Sequence, residues 1–559
     1  MGERADIVLR GGRVFDGVAL LPDATAVAVV DGRIAAVGTD AEVTGRFTPG
    51  RTIELDGGMI GPGFTDAHNH AAFAGYEMIT CDVSAVTTRR GYREVIARYA
   101  QADLDGWITG AGWSMAHFPG GTPTRQELDA IVRDRPVFLI NRDHHGAWAN
   151  TRALELAGLH AGTQDPHDGR IEREPDGFPA GTLHEGAMDL VSRLVPPPTA
   201  EKLVVGLESA AGHLTGLGVT GWQEAIVGEY AGYPDVAAAY GQAIGKGRLK
   251  ARACGALWLP RDAADADPRA LIDGFSDRRK ANAALGFRTD TIKLMVDGVA
   301  ENQTAAVEEP YLVPCRCHGA VPGQSGWEPG TGTGLAYLAP EFLDRIVPLL
   351  DTAGFNLHFH TIGDRAARIA LDALEGILPS ATGESRRRHH IAHLQILNPR
   401  DIARFARLSV TANLQALWAC NDAQMTELTL PQLGDQRAGW QYPFASLAAA
   451  GAELAMGSDW SVSSPDPWQA IHVAVNRTPP GKPDTPPLLP DQMLDLTTAL
   501  SAYTSGSARL LHMNAGRLVP GAPADVAVAS GNPFELPRED LWTISNVATL
   551  VGGEFVHGG

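Results

Sequence analysis

The sequence predicts an α/β fold: a (β/α)8 TIM-like barrel, a composite small β-sandwich domain, and an inserted α/β subdomain. Three observations carry this expectation. Strand-like and amphipathic helix-like segments alternate through the middle of the chain, the mark of parallel β/α units. Both chain ends read instead as short strands broken by Gly turns. One interval is far longer than a β/α connection requires.

The ends come first. "ADIVLRGGRVFDG", "AVAVVDGRIAAVG" and "RTIELDGGMI" are strand-like runs whose turns carry Gly, often as Asp-Gly, a signal for tight hairpins. "GRLVPGAPADVAVAS" and "ATLVGGEFVHGG" repeat the pattern near the C-terminus. Residues 1–60 and 515–559 are therefore expected to join into one β-sandwich, each covering sheet edges that the other leaves open.

Residues 61–514 then hold the barrel. Its first strand ends near His70, and the other seven are "GVTGWQEA", "ARACGALWL", "TDTIKLMVDG", "GFNLHFH", "RHHIAHLQ", "LSVTANLQ" and "AELAMGSDW". Amphipathic stretches such as "APEFLDRIVPLLDTAG" and "GDRAARIALDALEGIL" separate them. Between His70 and "GVTGWQEA" lie further strands, "WITGAGW" and "PVFLINRD", which suggest an inserted subdomain at about 77–195 over the mouth of the barrel. The Pro/Gly-rich stretch from Cys315 to Gly334 reads as a surface loop, and Cys315, Cys317 and His318 as an accident of that loop rather than a second metal site.

Composition narrows the partners. The 559 residues include 46 Lys and Arg against 65 Asp and Glu, a net charge of −19, which argues against nucleic acid and anionic membrane surfaces. No apolar run approaches the roughly 20 residues of a membrane helix, and the charged N-terminus does not read as a signal peptide. Five scattered cysteines do not make a disulfide framework. The expected location is cytoplasmic, with a small-molecule substrate; a homodimer is compatible with this reading.

The chemistry emerges from asking what ends each strand, because catalytic groups of a β/α barrel sit at the C-terminal strand ends. "GPGFTDAHNH" ends in His68 and His70, and residues i and i+2 of a strand share a face. The third strand after it carries Lys293, with Ile292 and Leu294 on the opposite face. His360, His393 and Asp459 end three more. A single strand histidine is more often core than ligand, and Asp459 alone could cap a turn. Six such residues converging on one rim point to metal. His358 and His389 lie deeper and read as core or supporting residues. A buried lysine loses its charge readily, and a free amine takes up carbon dioxide to give a carbamate, an anionic ligand with two oxygens suited to bridging a pair of divalent ions.

These same stretches, "GFTDAHNH", "IKLMVDG", "HFHTIGDRA", "RRHHIAHLQIL" and "MGSDWSV", resemble the amidohydrolase superfamily. The nearer resemblance is to amidohydrolase family 3, which includes N-substituted formamide deformylases and YtcJ-like proteins. It extends to "HHGAWANTRALELAGL", "DGRIEREPDGFPAGTLHEGA" and "DGVAENQTAAVEEPY", and so covers nearly the whole chain. The resemblance implies that His68, His70 and Asp459 hold one metal ion, that His360 and His393 hold a second, and that a carboxylated Lys293 bridges them.

Two such ions bring a bound water's pKa toward neutrality and polarise a carbonyl; Asp459 is then the proton shuttle. Zinc suits imidazole and carboxylate ligands, and Mn, Fe, Co or Ni would fit the same set. The expected activity is that of a metal-dependent hydrolase acting on a non-peptide C–N bond, with an N-substituted amide or formamide cleaved by a metal-bound hydroxide. Trp113, His117, His144, His145 and Trp418 sit in or near loops expected to line the substrate pocket. The rival readings are another carbonyl or phosphoester substrate on the same two-metal site, a mononuclear deaminase, and a non-enzymatic assembly protein on this barrel.

Overall fold

The computed structural model describes residues 3–102, 106–230, 232–315, 326–377 and 387–558. Its centre is an eight-stranded parallel sheet formed by β1 (Phe64–Asn69), β2 (Val219–Val227), β3 (Arg252–Trp258), β4 (Arg288–Met295), β5 (Asn356–Thr361), β6 (His390–His393), β7 (Thr411–Leu414) and β8 (Leu454–Met456), each beside the next in sequence order. These are the eight strands expected from the sequence. They are buried on both faces, as the strands of a parallel sheet covered by helices must be. β1 and β8 close the ring just past their ends: the Asp459 N–H donates to the His68 carbonyl and the His70 N–H to the Trp460 carbonyl, both at 2.8 Å.

Helices follow the strands around the outside. Pro399–Leu408, after β6, shows how the sequence sets the bounds of one. The Asn398 side chain accepts from the Arg400 N–H, Pro399 fills the first turn, and Ser409 ends the helix at φ 57°, a left-handed stop. Phe405 faces inward, fully buried.

The register places the chemistry. Across β4 and β5, Lys293 pairs with His358 and Met295 with His360. Across β5 and β6, Thr361 pairs with His393. Since side chains alternate along a strand, Lys293, His358 and His360 point into the barrel; His393 pairs with Thr361, out of that alternation, and reaches the pocket at the C-terminal end where its backbone leaves the strand at φ 75°.

Two further sheets join the chain ends. One holds strands within residues 3–54. In the other, Val526–Ala529 lies between Asn546–Val551 and Met59–Pro62, so N-terminal and C-terminal segments share one ladder. A single apolar cluster with Ile7, Leu9, Val27, Ile60, Val526 and Leu550 fills the space between the two sheets. A fourth sheet, of six strands within residues 81–185, carries its own core around Trp113, Phe118 and Trp148. Cys317 and His318 lie outside the described residues, and no helix among the described residues is long and apolar enough to cross a membrane.

Candidate metal centre

The six ligand candidates from five strand ends meet in one pocket at the C-terminal mouth of the barrel. All are buried, none more than 7% exposed. Asp459 Oδ1 lies 3.2 Å from His68 Nε2 and 3.0 Å from His70 Nε2, and its Oδ2 lies 3.9 Å from His393 Nδ1. Ligand atoms of His68, His70 and Asp459 all fall within 4.8 Å of one another. Lys293 Nζ stands 3.3 Å from His68 Nε2. The His360 and His393 rings are 4.4 Å apart, and the His68 and His393 rings 4.8 Å.

Electrostatics leaves these groups in ligand form. Burial, then the nearby Lys293, pushes His68 down to about 3, and burial lowers His70, His360 and His393 as well. Neutral imidazoles carry the lone pair that a metal needs. Burial also brings Lys293 down to about 7. Burial alone would raise Asp459, but the facing imidazoles outweigh it and hold the carboxylate well below its usual range.

The donor set fits a metal on a direct test. Buried polar atoms are nearly always hydrogen-bonded, and exceptions call for a missing partner. Asp459 Oδ1, His70 Nδ1 and both ring nitrogens of His393 are buried without a hydrogen-bond partner among the described residues. Of these, His70 Nδ1 turns toward Glu224 Oε1, 3.9 Å away, whereas Asp459 Oδ1 sits where His68 Nε2 and His70 Nε2 also meet. A metal ion satisfies such atoms where a proton cannot.

The backbone is strained at the same place. His393 (φ 75°), Leu394 (φ 53°), Asp459 (φ 54°), His144 (φ 64°) and Glu185 (φ 52°) all adopt left-handed conformations, each costing on the order of 1–3 kcal/mol. Surrounding bonds enforce them: the His393 N–H donates to Gln415 Oε1 at 2.6 Å and the Leu394 N–H to the Thr361 carbonyl at 3.0 Å.

Several supporting residues were not apparent in the sequence. Asp297, just past β4, faces His360 Nδ1 at 3.2 Å and accepts from the backbone N–H groups of Ala306, Ile362 and Gly363. That bond leaves His360 Nε2 as the ligand atom. The Asp66 carboxylate accepts from the N–H groups of His68 and Ser458 and from the Ser458 hydroxyl, tying β1 to the end of β8. Only their positions inside "GFTDAHNH" and "IKLMVDG" hinted at either. His358, read as a deeper supporting residue, has its Nε2 3.0 Å from His68 Nδ1. Replacing Asp297 with Asn is expected to lower metal affinity about 10- to 100-fold, the usual cost of losing such an orienting partner. A chelator-competition titration reads this, and an unchanged affinity contradicts the orienting role.

The expected substrate residues divide. His144, His145 and Trp418 line the metal pocket. Trp418 stacks on the His393 ring at 5.2 Å, 3° from parallel. His144 Nε2 lies 3.1 Å from Glu77 Oε1, and His145 Nδ1 lies 2.8 Å from Glu185 Oε1. Glu185 also accepts from the Thr304 hydroxyl and from Arg261. Trp113 and His117 are not brought to the pocket. Trp113 is fully buried against Phe118 and Trp148, with its indole N–H donating to the Leu139 carbonyl. His117 Nδ1 is engaged by the Tyr92 hydroxyl at 2.6 Å. Trp113 belongs to the inserted sheet's own core and His117 sits half-buried beside it, which the sequence pattern around "GWSMAHF" did not distinguish from a pocket wall.

Comparisons agree with this architecture. Residues 51–557 match the model of the amidohydrolase family. The chain is 30% identical to Protein LONG AFTER FAR-RED 3 of Arabidopsis thaliana, over 98% of this chain and 91% of that one. It is 27% identical to the putative amidohydrolase YtcJ of Bacillus subtilis, over 95% and 96% of the two chains. It is 26% identical to the N-substituted formamide deformylase of Arthrobacter pascens, over 95% and 94%. Among solved structures, an uncharacterized metal-dependent hydrolase from Pyrococcus furiosus shares the fold with a TM-score of 0.66 at 24% identity, over 95% of this chain and all of that one.

Proposed function

This chain belongs to the amidohydrolase family of metal-dependent hydrolases, and from that premise we propose that it hydrolyses the C–N bond of an N-substituted amide or formamide. One observation carries the reading: four imidazoles, one lysine and one carboxylate converge in a buried pocket, where Asp459 Oδ1 and the His393 ring nitrogens have no hydrogen-bond partner among the described residues.

His68, His70 and Asp459 would hold one divalent ion, His360 and His393 a second, and Lys293, as its carbamate, would lie between them. Zinc suits this donor set best. When bound, the two ions polarise the substrate carbonyl and bring a water's ionisation toward neutral pH. The buried Lys293, having lost its ammonium proton, would add its free amine nitrogen to the carbon of CO2 and release a second proton, so that a neutral amine becomes an anionic carbamate.

The chain's own groups do the rest. Asp459 stays ionised, so a carboxylate oxygen accepts the proton of the attacking water and returns it to the leaving nitrogen. An amide needs that return, because an amine anion is a very poor leaving group. Val299, Ile362, Trp418 and Val462 wall the pocket with apolar surface and limit competing water. Lys293 beside His68 favours this reading over a mononuclear deaminase, which has no use for a bridging lysine.

The test is a hydrolysis screen of metal-loaded protein over amides, formamides, cyclic imides, carbamates, esters and phosphoesters. Turnover of N-substituted amides or formamides is expected. Turnover of phosphoesters alone would overturn the amidase assignment while leaving the metal site standing.

A further inference from the structure

A second chamber opens directly beside the metal pocket. Asp143, Val299, Ile362, Trp418 and Val462 line both spaces, so a molecule with its scissile bond at the metal centre extends into the chamber without crossing a wall. Met115, Leu417, Met425 and the Trp418 indole give it apolar surface.

Its polar groups fall into acceptors and donors. Three carboxylates reach it, and each already accepts a hydrogen bond: Asp143 from the His145 N–H (2.9 Å), Glu301 from the Thr429 hydroxyl (2.8 Å), and Asp422 from the Met425 N–H (2.8 Å). The donors are different. Arg142, half-buried at the chamber wall, makes one side-chain hydrogen bond, from Nη2 to the Ser84 carbonyl at 2.8 Å. No carboxylate lies within 4.0 Å of its guanidinium among the described residues, and Asp422 acts on it only from farther away. Gln395 is 2% exposed, and its Nε2 is buried with no acceptor among the described residues. A guanidinium with no carboxylate in contact and an amide without an acceptor, on one wall of the chamber, are donors that match a carboxylate.

We propose that this chamber is a substrate subsite for an apolar or aromatic body ending in a carboxylate, recognised by Arg142 and Gln395. The inference rests on the reading of the metal pocket as the hydrolytic centre. It deepens that reading by naming the substrate class: an N-substituted amide with an anionic end remote from the scissile bond. Arg142 also faces the neighbouring space beside Glu77 and His213, so the carboxylate approaches it from the chamber side, along the Trp418 wall.

Direct binding to the metal-loaded protein tests this without turnover, by titrating phenylacetate, phenylacetamide and phenethylamine and following heat or tryptophan fluorescence. Wild-type protein should bind phenylacetate about ten-fold or more tightly than phenylacetamide, as a charged hydrogen-bonded pair commands. Arg142→Gln should abolish that preference while leaving phenylacetamide binding intact, which also reports a folded pocket. Arg142→Lys should keep part of the preference, and Gln395→Leu should weaken phenylacetate several-fold. Phenylacetate binding unchanged in Arg142→Gln would mean that the carboxylate sits on the metals, and would overturn the proposal. So would a preference for phenethylamine, or no discrimination among the three. Because binding is read without hydrolysis, a failed screen for amidase activity and a failed subsite remain separate results.

Discussion

Asp459→Asn is expected to cut amide hydrolysis by about 10²- to 10⁴-fold, the range that general acid–base help supplies. The carboxylate stands 3.2 and 3.0 Å from two imidazole nitrogens, so it has two roles to lose, ligand and proton carrier. Measuring metal content alongside rate separates them. Where metal is retained, the loss should be larger on an amide than on an activated ester such as a nitrophenyl ester. The ester's leaving group departs without protonation, whereas the amide nitrogen does not. Equal losses on both substrates at full metal occupancy would remove the proton-carrying role and leave Asp459 as a ligand alone.

Lys293→Ala is expected to lower bound metal and rate together. The Lys293 side chain, on β4, is buried 3.3 Å from His68 Nε2 and paired across to His358 on β5, and a carbamate there supplies the bridging anion of the proposed set. Alanine leaves the two histidine groups facing each other with no anion between them. Small carboxylic acids diffusing into the space should restore part of both metal and rate, since they supply the same pair of oxygens. Full metal content with full activity in Lys293→Ala would contradict the bridging role, whatever the substrate proves to be.

The barrel was legible because parallel strands buried on both faces read as continuous apolar runs, and because five of the eight runs end in a histidine, lysine or aspartate that has no business in an apolar core. "NLHFH" and "HHIAH" announce both the strand and its chemistry. The supporting layer was less legible for a physical reason. Asp297 earns its role from backbone N–H groups of Ala306, Ile362 and Gly363, which only the closed barrel gathers. Glu185 joins His145 and Arg261 through a left-handed turn that no local pattern encodes. Trp113 marks the opposite case. "WITGAGW" reads as a strand in sequence, but not as one whose last side chain turns inward, and the strand Ile108–Trp113 belongs to a sheet with a core of its own that takes the indole. Arg142 ends the adjacent strand Val137–Asn141, one residue past it, and nothing in "PVFLINRD" distinguishes it from a surface arginine.

The central claim is a pair of divalent ions held by His68, His70, Lys293, His360, His393 and Asp459. Metal analysis of the wild-type chain, purified with divalent ions available and freed of loosely held metal by gel filtration, tests it most directly. The account predicts close to two divalent ions per chain, lost along with hydrolysis when a strong chelator is applied and regained with it on reconstitution. A folded wild-type chain that retains no metal, or whose hydrolysis is indifferent to its removal, would contradict the account.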